Sequence, residues 1–225
     1  MTNPLSQNLY TYVHNNPLIY VDPDGNKRKG LDFSYGYFTQ TYGSAYGERA
    51  NAWWEGEYSD REFLKSVGIE TMSWSSLNGY GGGSTDKKNQ RWRDEEEHVA
   101  NKLADFGYNV VANIMTNKKY GNFDFFVNGL KVELKTPKPE DGNFNRRTTL
   151  DNIAKGFNIQ LADKVIVDLT YYVNKDSYNA LDIFDLFFYS STKLERYNTE
   201  FTLEIWTHNG IITGTIMREY DGVTV

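Results

Sequence analysis

The 225-residue chain contains no cysteine. That excludes disulfides and thiolate-held zinc, and it suits a domain that can fold in an oxidising or a reducing compartment. Histidine is nearly missing as well: His14, His98 and His208 are scattered, so there is no histidine-rich metal site and an RNase built on a histidine pair is disfavoured. His98, close to a helix start, is expected to be a surface or core residue rather than a base. No apolar run is long enough to span a bilayer, and no signal peptide begins at Met1, so export of a longer parent would be directed from elsewhere. Excess positive charge is also lacking. The net charge is −6, which argues against a protein that coats duplex nucleic acid non-specifically. Neither a glycine-rich phosphate cradle nor a GxSxG nucleophile motif is present.

What the chain does have is a hairpin signal of unusual chemistry. Asn128-Gly129 lies between the apolar, β-rich runs 124–127 and 130–135, the pattern of a two-residue type I′ turn with φ > 0 at both central positions. Counting outward pairs Val127 with Leu130, Phe126 with Lys131, Phe125 with Val132 and Asp124 with Glu133. One face then carries Phe125, Val127, Leu130, Val132 and Leu134, and the other Asp124, Phe126, Lys131, Glu133 and Lys135. Like charges on facing strand positions are destabilising. Either a hard divalent cation offsets Asp124 and Glu133, with Lys135 beside them, or the hairpin face is solvated and its lysines neutralise its acids.

Upstream, residues 93–108 fit one amphipathic helix: Val99, Ala100, Leu103, Ala104 and Phe106 recur at helical spacing, acids fill the first turns, and Gly107 stands as terminator. Glu96 shares the inward face of Ala100 and Leu103. Residues 109–115 then form a strand, and 116–120 a basic connection into the hairpin. Downstream, Thr148 or Thr149 is placed to cap a helix over 150–162, which feeds a buried strand over 164–169. That helix sets polar Lys155 and Gln160 beside Ile153, Phe157 and Leu161. The loop 136–147 ends in Arg146-Arg147, and between Lys118 and Lys164 there are nine basic and six acidic residues, a local basic excess compatible with phosphate contacts.

Asp124 followed by Glu133-x-Lys135 on the next strand, with a preceding acidic helix and a following helix and strand, resembles the PD-(D/E)xK nuclease superfamily. The resemblance implies an α/β fold, a mixed β-sheet flanked by helices. It also implies Asp124, Glu133 and Glu96 as metal ligands, with Glu97 the substitute for Glu96, and Lys135 as the residue that positions the nucleophile. The divalent metal it implies is most simply Mg²⁺. Residues 153–169, from Ile153-x-Lys155-Gly156 through Gln160 to Leu169, look like the helix and strand that close the tRNA nuclease domains of contact-dependent toxins. In that likeness Gln160 joins the catalytic group and Lys155 approaches the scissile phosphate, unless the two form a solvent-facing polar stripe. Lys138, Arg146 and Arg147 are the further candidate substrate contacts.

The segment 8–25, N-x-Y-x-Y-x-x-N-N-P-x-x-x-x-D-P-x-G, resembles the end of an RHS/YD-repeat core that precedes a variable toxin. Asn26 follows its last glycine where many members have Leu, so no self-cleavage is carried over. The organisation expected is an RHS end over 1–30, a linker or translocation-associated region over 31–90 with one helix near 60–67, and a nuclease over 91–225. A second hairpin around Asn209-Gly210 and an apolar element of open type over 181–189 complete the C-terminal part. The two resemblances together imply a secreted, wall-associated polymorphic toxin. It would act in the cytoplasm of competing bacteria, cutting tRNA as a metal-dependent endonuclease, and a cognate immunity protein would neutralise it, complementary to the basic 118–164 face. The rivals are a metal-dependent DNase toxin and a non-catalytic adhesion or carbohydrate-contacting tip that works through the aromatic-rich 31–80 segment.

Overall fold

The computed structural model describes residues 35–77, 81–85, 93–113 and 122–219. The RHS-like segment 8–25 and the basic connection 116–120 lie outside them. By its internal contacts the chain divides into two compact units, Met1–Gly68 and Ile69–Val225.

The first unit holds helix α1 (Tyr35–Trp54), broken at Gly43, and helix α2 (Asp60–Ser66). The sequence predicts α2. Its Ser59 cap accepts from the Glu62 amide while Glu62 bonds back to the Ser59 amide, a reciprocal box that fixes the helix start. Helix α1 is rich in Tyr and Gly and has little intrinsic propensity. Tertiary burial of Phe38, Tyr42 and Ala50 overrides that local weakness.

The second unit is built on one eight-stranded sheet in the order β1-β8-β7-β6-β5-β4-β3-β2. The strands are β1 (Glu70–Ser73), β2 (Ser84–Thr85), β3 (Asn109–Ala112), β4 (Phe125–Val127), β5 (Leu130–Lys135), β6 (Lys164–Asp168), β7 (Phe201–Thr207) and β8 (Gly210–Ile216). Strands β5, β6 and β7 run parallel, whereas the β3/β4, β4/β5, β7/β8 and β1/β8 pairs are antiparallel. The sheet is mixed and flanked by helices, as expected. Within the 31–90 region, β1 and β2 provide both edge strands and Trp74–Leu77 forms the short helix α3, whose Trp74 packs edge-on against buried Trp206.

Two helical layers cover the sheet. On one face, helix α4 (Asp94–Asp105) lays Val99, Ala100 and Leu103 against Phe125, Val132, Leu134, Ile166 and Trp206. On the other face lie α5 (Arg146–Asn158), between β5 and β6, and α6 (Ala180–Lys193), between β6 and β7. Parallel strands need such crossovers, and strand β6, covered on both faces, is apolar through its centre. The open element at 181–189 is therefore helix, capped by Asn179.

Two boundaries differ from expectation. Helix α5 starts after Asn145, whose side chain accepts from the Thr148 amide, so neither Thr148 nor Thr149 is the cap; Thr149 Oγ1 donates back to the Asn145 carbonyl. The helix ends at Asn158, and Leu161 adopts φ 57, which leaves Gln160 on the turn that follows. In the C-terminal hairpin the two-residue loop is His208-Asn209, with Gly210 paired to Thr207. Gly210 is needed elsewhere: a Cβ there would stand 2.0 Å from the Met72 carbonyl oxygen of β1. Close strand approach and a φ of 149, rather than a place in the loop, explain that glycine.

Candidate active site

The β4–β5 hairpin has the expected register. Val127 pairs with Leu130, Phe126 with Lys131 and Phe125 with Val132, around Asn128 at φ 49 and Gly129 at φ 89. The ladder ends at Phe125. Beyond it the Asp124 amide donates to the Val132 carbonyl at 3.1 Å while its own carbonyl accepts from the Asn113 amide on the other side, so the chain bulges at Asp124, and it is the side chains of Asp124 and Glu133 that meet. The face bearing these acids is not solvated. Helix α5 lies close over it because residue 156 is glycine; a Cβ there would stand 2.7 Å from a Val165 methyl and 3.4 Å from Glu133 Cγ. Glu133 is only 2% exposed.

Lys135 Nζ donates to Glu133 Oε1 at 2.6 Å and to Gln160 Oε1 at 2.8 Å. Strand alternation brings Glu133 and Lys135 to one face, and the turn after α5 brings Gln160 onto the same ammonium. Asp124 Oδ2 accepts from the Leu134 amide at 2.8 Å. Glu133 Oε2 is buried and receives no donor. Asp124 is within hydrogen-bonding reach of Glu133, a bond that forms only while one of the two retains a proton. Burial, and then the Asp124 charge, push the Glu133 carboxyl up to about 8 despite Lys135. Asp124 is raised as well, chiefly by burial; the Leu134 amide pulls it back, Glu96 adds to the rise, and Arg93 and Lys135 oppose it.

Helix α4 delivers Glu96 through an intermediary that the sequence reading did not include. Arg93, at the helix N-cap, donates Nε to Glu96 Oε1 at 2.6 Å and Nη2 to Asp124 Oδ1 at 3.3 Å, while its amide donates to Glu96 Oε2 at 3.0 Å. A signal was available: arginine has no acceptor with which to cap a helix, so its presence there points to another task. The neighbouring Glu95 accepts from the Tyr172 hydroxyl at 2.7 Å and pairs with Lys138, whose ammonium lies 4.5 Å above the Tyr172 ring. Those contacts hold the Glu95 carboxyl down at about 2, the Lys138 bond contributing most.

Lys138 is committed to Glu95, and Arg146 to the buried Asp185 of α6. Arg147 and Lys155 are exposed and share one stripe of α5 with Asp151, opposite the stripe that carries Ile153, Gly156 and Phe157 inward. Lys155 thus takes the solvent-facing alternative, whereas Gln160 does not. His98 packs edge-on against Tyr171 at 5.6 Å.

Among the described residues no three His, Cys, Asp or Glu side chains are gathered tightly enough to hold a metal by themselves. Asp124 and Glu133 nonetheless form a two-carboxylate, all-oxygen donor set with one buried oxygen left without a donor. Mg²⁺ is commonly bound through one or two carboxylates with waters completing its shell, so the residues fit such an ion.

No family model and no curated protein matches the chain. A chain in the solved structure of a CdiA-CT/CdiI toxin and immunity complex from Burkholderia pseudomallei is similar to it. The two are 17% identical, with a TM-score of 0.37, over 60% of this chain and 99% of that one. At that level of likeness, function has to be argued from the residues of the chain itself.

Proposed function

We propose that the chain carries a metal-dependent endonuclease toxin domain that cuts tRNA and is held in check by an immunity protein. The observation that carries this reading is the Asp124, Glu133, Lys135 and Gln160 cluster. Two facing carboxylates are kept together in a buried position at evident electrostatic cost, beside a lysine whose ammonium has a third N–H to spare.

Asp124 and Glu133 would hold a divalent ion, with Glu96 close to Asp124. When bound, the ion supplies Lewis-acid stabilisation of phosphate charge and a more acidic water. The protein's own groups do the remaining work. Lys135 is fixed by Glu133 and Gln160 so that its free N–H can orient a water or meet a phosphate oxygen, and Gln160 prevents it from swinging toward either carboxylate alone. Helix α5 shields Glu133 from bulk water, which strengthens each of these interactions.

The choice of tRNA rests on the sequence resemblance of residues 153–169 and on the basic excess of 118–164. Delivery as the tip of a larger, wall-associated parent into the target cytoplasm rests on the RHS-like segment. Among the described residues no helix is long and apolar enough to cross a membrane. Purified protein incubated with total RNA and with plasmid, in Mg²⁺ or in EDTA, tests the proposal alongside Glu133→Ala and Lys135→Ala. Cleavage of tRNA only with Mg²⁺, lost in both variants, is expected. Intact tRNA in every lane refutes the reading, and cutting of plasmid alone replaces tRNA with DNA.

A further inference from the structure

The guanidinium of Arg93 stands where a cation shared between Glu96 and Asp124 would stand. Its Nη2 lies between the two carboxylates, against Glu96 Oε1 and 3.3 Å from Asp124 Oδ1, with Nε also on Glu96, yet its side chain is 69% exposed, while both partners are 15% exposed. A structural ion pair has no need of so open an arginine between two largely covered acids. The weaker of its two links, 3.3 Å to Asp124 Oδ1, is to the carboxylate that faces Glu133. The Glu96 link is reinforced by the backbone: the Arg93 amide and Nε both bond that carboxylate, so the arginine stem stays anchored if the Asp124 contact is given up.

We propose that Arg93 is an exchangeable place-holder. It neutralises Asp124 while the site has no divalent ion, and once an ion takes Asp124 it turns its freed donors to a phosphate oxygen of the bound nucleic acid. This rests on the nuclease reading above. Arginine suits both states, because its planar fork binds carboxylate and phosphate with the same geometry and its charge cannot be titrated away. Lysine, a compact point charge, matches that geometry less well.

Opposite changes in two measurements follow. Arg93→Gln removes the competitor for Asp124, so Mn²⁺, titrated by calorimetry into protein without nucleic acid, should bind about two- to fivefold more tightly, the range expected for loss of one exposed ion pair. The same variant should raise KM for the nucleic acid that the wild type cuts by about tenfold or more, with kcat changed less, because a charge-assisted contact to phosphate is gone. Arg93→Lys should recover part of the KM. An arginine that only starts helix α4 would show the reverse: Arg93→Gln would lower the melting temperature and weaken Mn²⁺ and substrate together. That outcome overturns the proposal, as does Mn²⁺ affinity or KM unchanged in a variant that melts like the wild type. If the wild type itself binds no Mn²⁺ and cuts no nucleic acid, the nuclease reading falls and this inference with it. If it does both and Arg93→Gln alters neither, only the inference falls.

Discussion

Glu133→Gln should make the protein more stable and abolish the proposed nuclease activity, and the gain in stability should depend on pH. A carboxyl that titrates at about 8 when folded, against an ordinary value of 4.5, holds its proton more tightly in the folded state. Stability from this group is therefore complete below about pH 4.5, declines as pH rises, and levels off above about pH 8. At ~1.4 kcal/mol per pKa unit the decline is on the order of 5 kcal/mol if Asp124 stays charged, and smaller if Asp124 takes the shared proton instead. Glutamine keeps the shape, accepts from Lys135 as before, and can donate to Asp124 where two carboxylates repel. Urea unfolding of wild type and variant at pH 5 and pH 8 reads this directly. With a slope of roughly 2–3 kcal/mol per molar, the variant's advantage in midpoint should be on the order of 1–2 M greater at pH 8 than at pH 5. Parallel midpoints at the two pH values would show that Glu133 ionises as an ordinary carboxylate, and the electrostatic basis for a cation site would go with it.

Two further substitutions probe how the fold supports the site. Gly156→Val places methyl groups where only 2.7 Å separates a Cβ from Val165 Cγ2, so it should push α5 off the sheet, cost about 1–3 kcal/mol, and lower activity beyond what the stability loss explains; a melting curve and a turnover measurement settle both. Arg146→Ala deprives buried Asp185 of its charge partner and should destabilise by on the order of 2 kcal/mol, with KM for nucleic acid unchanged, which a substrate-binding arginine would not allow.

The legible part of the site was the part governed by short-range rules. Asn128-Gly129 dictates a turn type, the turn dictates the register of residues 125–127 with 130–132, and alternation puts Glu133 and Lys135 on one face. Asp124 is brought beside Glu133 by a local break in the ladder that the turn does not encode. Gln160 was legible as a residue but not as a position, since it reaches Lys135 from the turn beyond α5 and not from the helix. Lys138 and Arg146 show what one-dimensional reasoning leaves out: each is paired with an acid that is distant in sequence, Glu95 and Asp185. Gly210 fails for a related reason. An Asn-Gly pair between alternating strands favours a turn, but the approach of β1 to within 2.0 Å of a notional Cβ is a tertiary demand that no local window contains.

The two edges of the sheet come from a single stretch of chain, with β1 bordering β8 and β2 bordering β3. Residues 69–85 thus act as a selvedge, finishing both margins of a fabric woven from everything downstream. A fragment beginning at residue 91 would keep the whole Asp124, Glu133 and Lys135 group and still leave β3 and β8 with unpaired backbone, each open to a strand from another molecule. Where the chain is cut thus decides whether both margins of the sheet keep their backbone partners.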